Sequence, residues 1–319
     1  MVSVLKNPLP VPALKAFRRV LAAVGEPWRL ARRGRPPKRK PRAYALALFV
    51  KAYWGWALRE AECVLRIPKS SLHWASKRLR DAWVRALVAR TAARLRREHA
   101  AACSILDSTG VSWSPLGCKR RFERRPYGQL HAMVEYAPKA HAVWFSDAIA
   151  TASPRGDAPM GERLLASEHA PPPTVLLADK GYDSFSLYRL AFRRGWRVCM
   201  RQRKNCEWNR GLRGRVLREY DDDEYRALRG RVEAPFGGFA RRYASRLHER
   251  LASTRKTACL LWVVAHNVRT IARTIRSYWQ DLLDSLELSN TFYEGKRTGL
   301  LAAGFCRPLR AAGGLALST

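Results

Sequence analysis

A mixed α/β domain preceded by an all-helical region is the fold class this sequence predicts, on three observations. Apolar residues make up 47% of 319, enough for a buried core and about two domains by length. The first hundred residues show apolar positions at helical spacing. From Cys103 onward, short runs rich in β-branched and aromatic residues alternate with helical stretches in the order β-β-β-α-β-α-β, after which helices return. The expected organisation is a helical region over 1–100, an α/β domain over 101–288 and a C-terminal tail over 289–319, where the pattern fades into Gly and Ala and poor order is expected.

Along the helical region, Pro8 to Leu30 predicts one short helix. Arg32 to Arg42 (RRGRPPKRKPR) holds seven cations, no acid and three prolines, so it reads as an extended basic arm. Helices are predicted over Ala43 to Trp56, Arg59 to Arg66, and Ser70 to about Glu98. Ser70 is placed to cap the third, and Leu72, Ala75, Leu79, Ala82 and Ala86 recur along it at helical spacing. Lys69, His73, Lys77 and Arg80 give that segment a basic face. A short helix, a Pro-containing turn and a second basic helix match a helix-turn-helix reader of DNA, and equally a helical bundle with a solvated face.

Strands are predicted over Cys103 to Ser108, Tyr127 to Tyr136, Ala142 to Ala150, Thr174 to Asp179 and Arg197 to Gln202. The second and third should pair as a hairpin through Pro138 and Lys139. Helices are predicted over Gly161 to Glu168 and Ser184 to Arg194. The acidic cluster Asp221 to Glu224 suits a helix N-terminus. From Tyr225 through Leu228, Val232 and Phe236 to Leu251, apolar residues follow at spacings of three and four, predicting an amphipathic helix that Pro235, Gly237 and Gly238 should kink or split. A last helix is predicted over Lys256 to Leu283.

The charge narrows the function. Sixty Lys and Arg against 26 Asp and Glu give a net +34, with 24 basic and 5 acidic residues in the first hundred. Self-repulsion on this scale is best offset by a polyanion, so nucleic acid leads the candidate partners. A membrane span is excluded as the explanation. The longest apolar runs, Ala43 to Val50 and Ala258 to Ala265, have eight residues each, against about 20 for a span. No secretory leader is apparent near Met1, so a cytoplasmic, nucleoid-associated protein is expected. Seven cysteines, an odd number with no C-x-x-C pair, argue against a disulfide framework and a structural zinc site. Within the arm, Arg33-Gly34-Arg35-Pro36 matches the core of an AT-hook that enters a narrow minor groove. A plain basic linker, with Lys38 and Arg39 on phosphates, is the other reading.

Two acids end apolar strands, Asp107 after Ile105-Leu106 and Asp179 after Leu177-Ala178, where open α/β folds place their sites. If the first and fourth strands are neighbours, both reach one divalent cation, and Glu233, flanking an apolar stripe with Arg229 one turn before it, is the candidate third ligand. An all-oxygen donor set favours Mg²⁺ or Mn²⁺ over zinc. Taken singly, each acid also fits a turn, a strand-end cap or an ion pair.

The string Leu-Ala-Asp-Lys-Gly-Tyr-Asp-Ser (Leu177 to Ser184), Ile-Leu-Asp-Ser-Thr-Gly (Ile105 to Gly110) and Arg229-x3-Glu233 together resemble the DDE transposases of prokaryotic insertion sequences. The resemblance covers Cys103 to Ile275, and D-K-G-Y-D-S is its most specific part. His131 in Gly-Gln-Leu-His and the pair Gly156-Asp157 are similar to the family's pattern as well. The resemblance implies an RNase H-like mixed sheet flanked by helices, with Asp107, Asp179 and Glu233 as a catalytic triad holding two Mg²⁺ or Mn²⁺ ions. It departs from the helix signature Tyr-x2-Arg-x3-Glu-x6-Lys. Tyr225 lies four residues before Arg229, and Ala240 stands at the Lys position, with Arg241 and Arg242 following.

By the same resemblance, the partner is double-stranded DNA, both the element's terminal repeats and the target, with a homodimer in the synaptic complex. Water frees a 3′-hydroxyl at the element's end, and that hydroxyl attacks the target. Lys180, Arg229, Arg241 and Arg242 would contact phosphates; for Lys180 a solvated surface lysine is an equal reading. Two other readings remain beside a transposase: a non-catalytic DNA-binding protein descended from one, and a nuclease of the same fold.

Overall fold

The structure is a computed structural model that describes residues 9–29, 37–112, 127–151, 155–167, 175–203, 210–233, 235–238, 249 and 251–285. Arg33, Arg35, Arg241, Arg242 and the tail over 289–319 lie outside them. The chain divides into two compact units, Met1–Ile275 and Arg276–Thr319. Of the second, only 276–285 are described, as helix.

Five helices open the chain: α1 (Val11–Val24), α2 (Pro41–Trp54), α3 (Leu58–Leu65), α4 (Lys69–Ser76) and α5 (Asp81–Glu98). Proline stands at the first turn of α1 and of α2, where its missing N–H costs nothing. The expected single helix from Ser70 to Glu98 is two. Arg80 is extended (φ −100, ψ 140) before Asp81 starts α5 with its acid in the first turn. Arg78 closes α4, stacking 3.7 Å from the Trp74 ring and donating to the Trp74 carbonyl. Periodicity hid this break because Leu72, Ala75 and Leu79 are buried in a continuous phase, whereas α5 buries Val84, Leu87, Val88, Thr91, Ala92 and Leu95 and leaves Ala82 exposed. Ser70 is not the cap: α4 starts at Lys69, whose N–H is taken by Glu62 Oε1 at 3.1 Å.

The sheet comprises β1 (Cys103–Ser112), β2 (Tyr127–Ala137), β3 (Ala142–Thr151), β4 (Val175–Ala178) and β5 (Arg197–Met200), in the order β3-β2-β1-β4-β5. The β1-β2-β3 meander is antiparallel, and β4 and β5 run parallel to β1. Between β3 and β4 lies α6 (Asp157–Ser167), and between β4 and β5 a 3-10 turn (Lys180–Tyr182) and α7 (Phe185–Arg193). Side chains alternate between two cores. Cys103, Ile105, Leu177 and Cys199 face the core shared with α1–α5 and the last helix. Leu106, Leu176, Val198 and Met200 face α6 and α7.

After β5 come α8 (Gly211–Arg218), α9 (Asp222–Arg229), a 3-10 turn (Gly230–Val232) and α10 (Ala252–Ser285). Sequence periodicity missed α8, which buries only Arg213, Gly214 and Val216. The expected helix from Tyr225 is split, but ahead of Pro235 rather than at it. A proline clashes with the carbonyl four residues earlier, here Arg231, and the backbone answers by tightening to 3-10 over 230–232. Asp221 caps α9 through the amides of Asp223 and Glu224, as the acidic cluster suggested. α10 docks on a β-bulge at Ser146, where the register slips between Met133 and Val134. Buried Asn267 bonds both the N–H and the C=O of Phe145 (2.9 and 2.8 Å), next to the bulge, and the Thr91 hydroxyl, tying β3 to α10 and α5.

Candidate active site

β1 is longer than the sequence suggested. Asp107 does not end it but sits mid-strand opposite Ala132, beside the point where β4 stops. Leu106 pairs with Ala178 in the parallel ladder, so Asp107 and Asp179, one residue further on each strand, emerge side by side on the face shared with Ile105 and Leu177. Asp179 then caps the 3-10 turn, its Oδ1 accepting from the Lys180 N–H at 2.7 Å. Burial pushes the Asp107 carboxyl above the usual carboxylate range. Arg229 opposes that rise and the neighbouring Asp179 adds to it.

Arg229 Nη2 lies 2.9 Å from Asp107 Oδ1, with both side chains about four-fifths buried. The end of α9 therefore closes over the strand edge, held there by Tyr225, 5% exposed in the core. Glu233 follows the 3-10 turn and is exposed. In a continuous α-helix it would share a face with Arg229; a 3-10 path over the same four residues swings it by up to roughly 80°. Among the described residues no group of three or more His, Cys, Asp or Glu side chains stands together as metal donors. The structure brings Asp107 and Asp179 together, covers Asp107 with Arg229, and does not add Glu233 to them.

The D-K-G-Y-D-S string is mostly architecture. Tyr182 is buried under Gly161, where a Cβ would meet its Cδ1 at 2.6 Å. Asp183 is buried and accepts from Arg213, from the Tyr188 hydroxyl and from the Arg203 N–H. Ser184 caps α7 through the Leu187 N–H and donates to Glu162. Lys180 is exposed, and Arg203 holds the turn from outside by donating to the carbonyls of Lys180 and Gly181. Nothing in the spacing flagged Arg203 or Arg213.

On the opposite face, behind Asp107, the structure joins His131 and Asp157. Ser108 Oγ donates to Asp157 Oδ1 at 2.8 Å, and Gln129 Nε2 lies 3.0 Å from Ser108 Oγ and 3.2 Å from the same Oδ1. His131 Nδ1 approaches that oxygen at 3.4 Å. The nearness of His131, followed by the Ser108 hydrogen bond, outweighs burial and holds the Asp157 carboxyl below the usual carboxylate range.

Of the cations assigned to DNA, Lys38, Arg39, Lys69, Lys77 and Arg80 are exposed, and His73 is half-buried. α3 and α4 are joined by three residues, Arg66 to Pro68, with Arg66 in the left-handed region (φ 52). No helix among the described residues is long and apolar enough to cross a membrane.

Residues 99–268 match the family described as the transposase DDE domain. A search of curated proteins finds no match. The matched span covers more than half of the 319 residues and contains the whole sheet, α6 to α9 and the paired Asp107 and Asp179. With its five-stranded mixed sheet flanked by helices and a helical region in front, the chain belongs to the DDE transposase domain family and carries that family's RNase H-like domain.

Proposed function

We propose that this chain is the transposase of a prokaryotic insertion sequence, cutting and joining DNA strands at Asp107, Asp179 and Glu233. The observation that carries the reading is the pair of carboxylates on neighbouring parallel strands, on the family's domain, with a cation already seated on one of them. The donor chemistry fits the implied ions. Two adjacent carboxylates offer only oxygen, and Arg229 at Asp107 shows that positive charge is accommodated there. When bound, two Mg²⁺ or Mn²⁺ ions supply activation of the attacking oxygen and stabilisation of the leaving oxygen in an in-line displacement at phosphorus.

The chain's own residues do the rest. Asp107 and Asp179 hold the cation site, and Glu233 joins them when Arg229 moves to a DNA phosphate and the 230–232 turn rewinds. Lys180 contacts phosphate beside Asp179, and Arg241 and Arg242, which follow Glu233 in the chain, contact phosphate as well. In the region over 1–100, α3 and α4 act as the helix-turn-helix, with Lys69, His73, Lys77 and Arg80 toward the terminal repeats. Lys38 and Arg39 grip the backbone, and Arg33 and Arg35 enter the minor groove. Two ends held in one synaptic complex require a homodimer, working at the nucleoid.

The test is strand cleavage and joining, with Mg²⁺, on duplex carrying the element's ends, for wild type and Asp179→Asn. Metal-dependent cleavage and joining, lost in Asp179→Asn, is expected. Cleavage without joining would make the protein a nuclease. The Arg229 contact favours one second reading, a DNA-binding protein without catalysis, and binding with no chemistry would establish it.

A further inference from the structure

We propose that Asp157 is a positioning residue of the active site: its carboxylate ties the strand carrying Asp107 to the turn carrying Asp179 and so sets how far apart the two acids stand. The inference rests on reading those two acids as the metal ligands.

One carboxylate touches both segments. Asp157 Oδ1 accepts from Ser108 Oγ at 2.8 Å, and Ser108 directly follows Asp107. Asp157 Oδ2 lies against Gly181, two residues past Asp179, so closely that a Cβ there would stand 2.6 Å from it. Gln129 locks the arrangement from β2. Its Nε2 reaches Ser108 Oγ and Asp157 Oδ1, and its Oε1 accepts from the Arg155 N–H at 3.1 Å, fixing the approach to α6.

A purely structural role explains this poorly. An acid in the first turn of a helix is favoured by the helix dipole alone. That preference asks for neither a hydroxyl on β1, nor an amide on β2, nor a glycine at 181. The cluster is also expensive. His131 is fully buried, with Nδ1 no nearer than 3.4 Å to Asp157 Oδ1, and neither its Nε2 nor the buried Tyr182 hydroxyl meets a hydrogen-bond partner among the described residues. Unpaired buried polar atoms cost stability, and apolar side chains of similar size would stabilise the same space better. Groups arranged behind metal ligands, by contrast, orient the ligands and tune affinity.

The test is Mn²⁺ binding to the full chain, followed by the electron paramagnetic resonance of free Mn²⁺, with the thermal unfolding midpoint measured in parallel. The proteins are wild type, Asp157→Ala, Asp157→Asn, Gly181→Ala and Asp179→Asn. Asp157→Ala, which removes the carboxylate, and Gly181→Ala, whose Cβ displaces it, should each weaken Mn²⁺ binding by about 10–100-fold in the folded protein. Asp157→Asn keeps an acceptor for Ser108 and should recover most of that affinity, which a loss of fold alone would not produce. Should Asp157→Ala fail to fold, Gly181→Ala decides. Folded Asp157→Ala and Gly181→Ala proteins that bind Mn²⁺ as wild type does would overturn the positioning role alone. A wild type that binds no Mn²⁺, or Asp179→Asn binding as tightly as wild type, would overturn the metal reading and this inference with it.

Discussion

Asp183, the second acid of the D-K-G-Y-D-S string, should prove structural. Its side chain is fully buried and faces Arg213, itself only 10% exposed, with Arg213 Nη2 2.7 Å from Oδ1. The Tyr188 hydroxyl donates to Oδ1 at 2.7 Å and the Arg203 N–H to Oδ2 at 3.2 Å. Asp183→Asn keeps the shape and removes the charge, leaving the Arg213 cation buried without its counter-ion. Breaking a buried pair from one side costs about 3–5 kcal/mol. At roughly 2–4 °C per kcal/mol for a domain of this size, the unfolding midpoint should fall by roughly 6–20 °C. Burial pushes this carboxyl up, but Arg213, Tyr188 and the Arg203 amide together hold it below the ordinary range. A folded-state value below the unfolded one means the contribution is complete at neutral pH and is lost as pH falls through the depressed value. Urea unfolding between pH 3 and 7 should therefore show a large gap between wild type and variant at neutrality that closes in acid. An Asp183→Asn protein of wild-type stability that has lost strand cleavage would refute the structural assignment and make Asp183 a member of the reacting set.

Other outcomes follow from the same contacts. Asn267→Leu removes three buried hydrogen bonds, two to the Phe145 backbone and one to the Thr91 hydroxyl, and at about 0.5–1.5 kcal/mol each it should cost about 1.5–4.5 kcal/mol in urea unfolding. Gly161→Ala, which would gain up to about 1 kcal/mol from helix propensity alone, should instead destabilise by about 1–3 kcal/mol, because its Cβ meets Tyr182 at 2.6 Å and Leu187 at 2.9 Å. The Asp107 carboxyl is raised by burial, so its contribution to stability is complete in acid and lost as pH rises through the folded-state value. The stability of Asp107→Asn relative to wild type should thus grow with pH in thermal unfolding scans, and a gap independent of pH would contradict it.

The legible parts of this molecule were those written in local pattern. Ile105-Leu106-Asp107 and Leu177-Ala178-Asp179 announced two strands carrying acids, although β1 runs on past Asp107 to Ser112, and Pro138-Lys139 announced the β2-β3 hairpin, while the neighbourhood of β1 and β4 was a condition that spacing alone left open. Breaks in helices were not legible. Leu72, Ala75 and Leu79 keep one helical phase across a real interruption, and the consequence of Pro235 surfaced at Gly230–Val232, one turn upstream, because the clash is with a preceding carbonyl. Contacts over long separations were least legible. The periodicity that placed Arg229 beside Glu233 gave no sign that its guanidinium would lie on Asp107, and Asp157 carried a faint family likeness but no hint of Ser108 or Gly181.

The way the acids are partnered bears on which of them can react. With 60 cations to 26 acids, charge alone would cover every carboxylate. Three buried structural acids are held by two-nitrogen grips: Glu135 by Arg96 Nε and Nη2, Asp147 by Arg85 Nε and Nη2, and Asp183, through one oxygen, by Arg213 Nε and Nη2. Such bidentate pairs are the strong ones and the hardest to exchange. Asp107 is met by Arg229 through Nη2, and Asp179 and Glu233 have no cation partner among the described residues. Asp179 stays open for a local reason: its oxygen is occupied by a backbone N–H, and Arg203 spends its donors on the carbonyls of the turn rather than on the acid. The three carboxylates that the proposed chemistry requires to exchange partners are thus free of a two-nitrogen grip, a condition that Asp157 and Asp221 share and that the chemistry needs without its being enough to single them out.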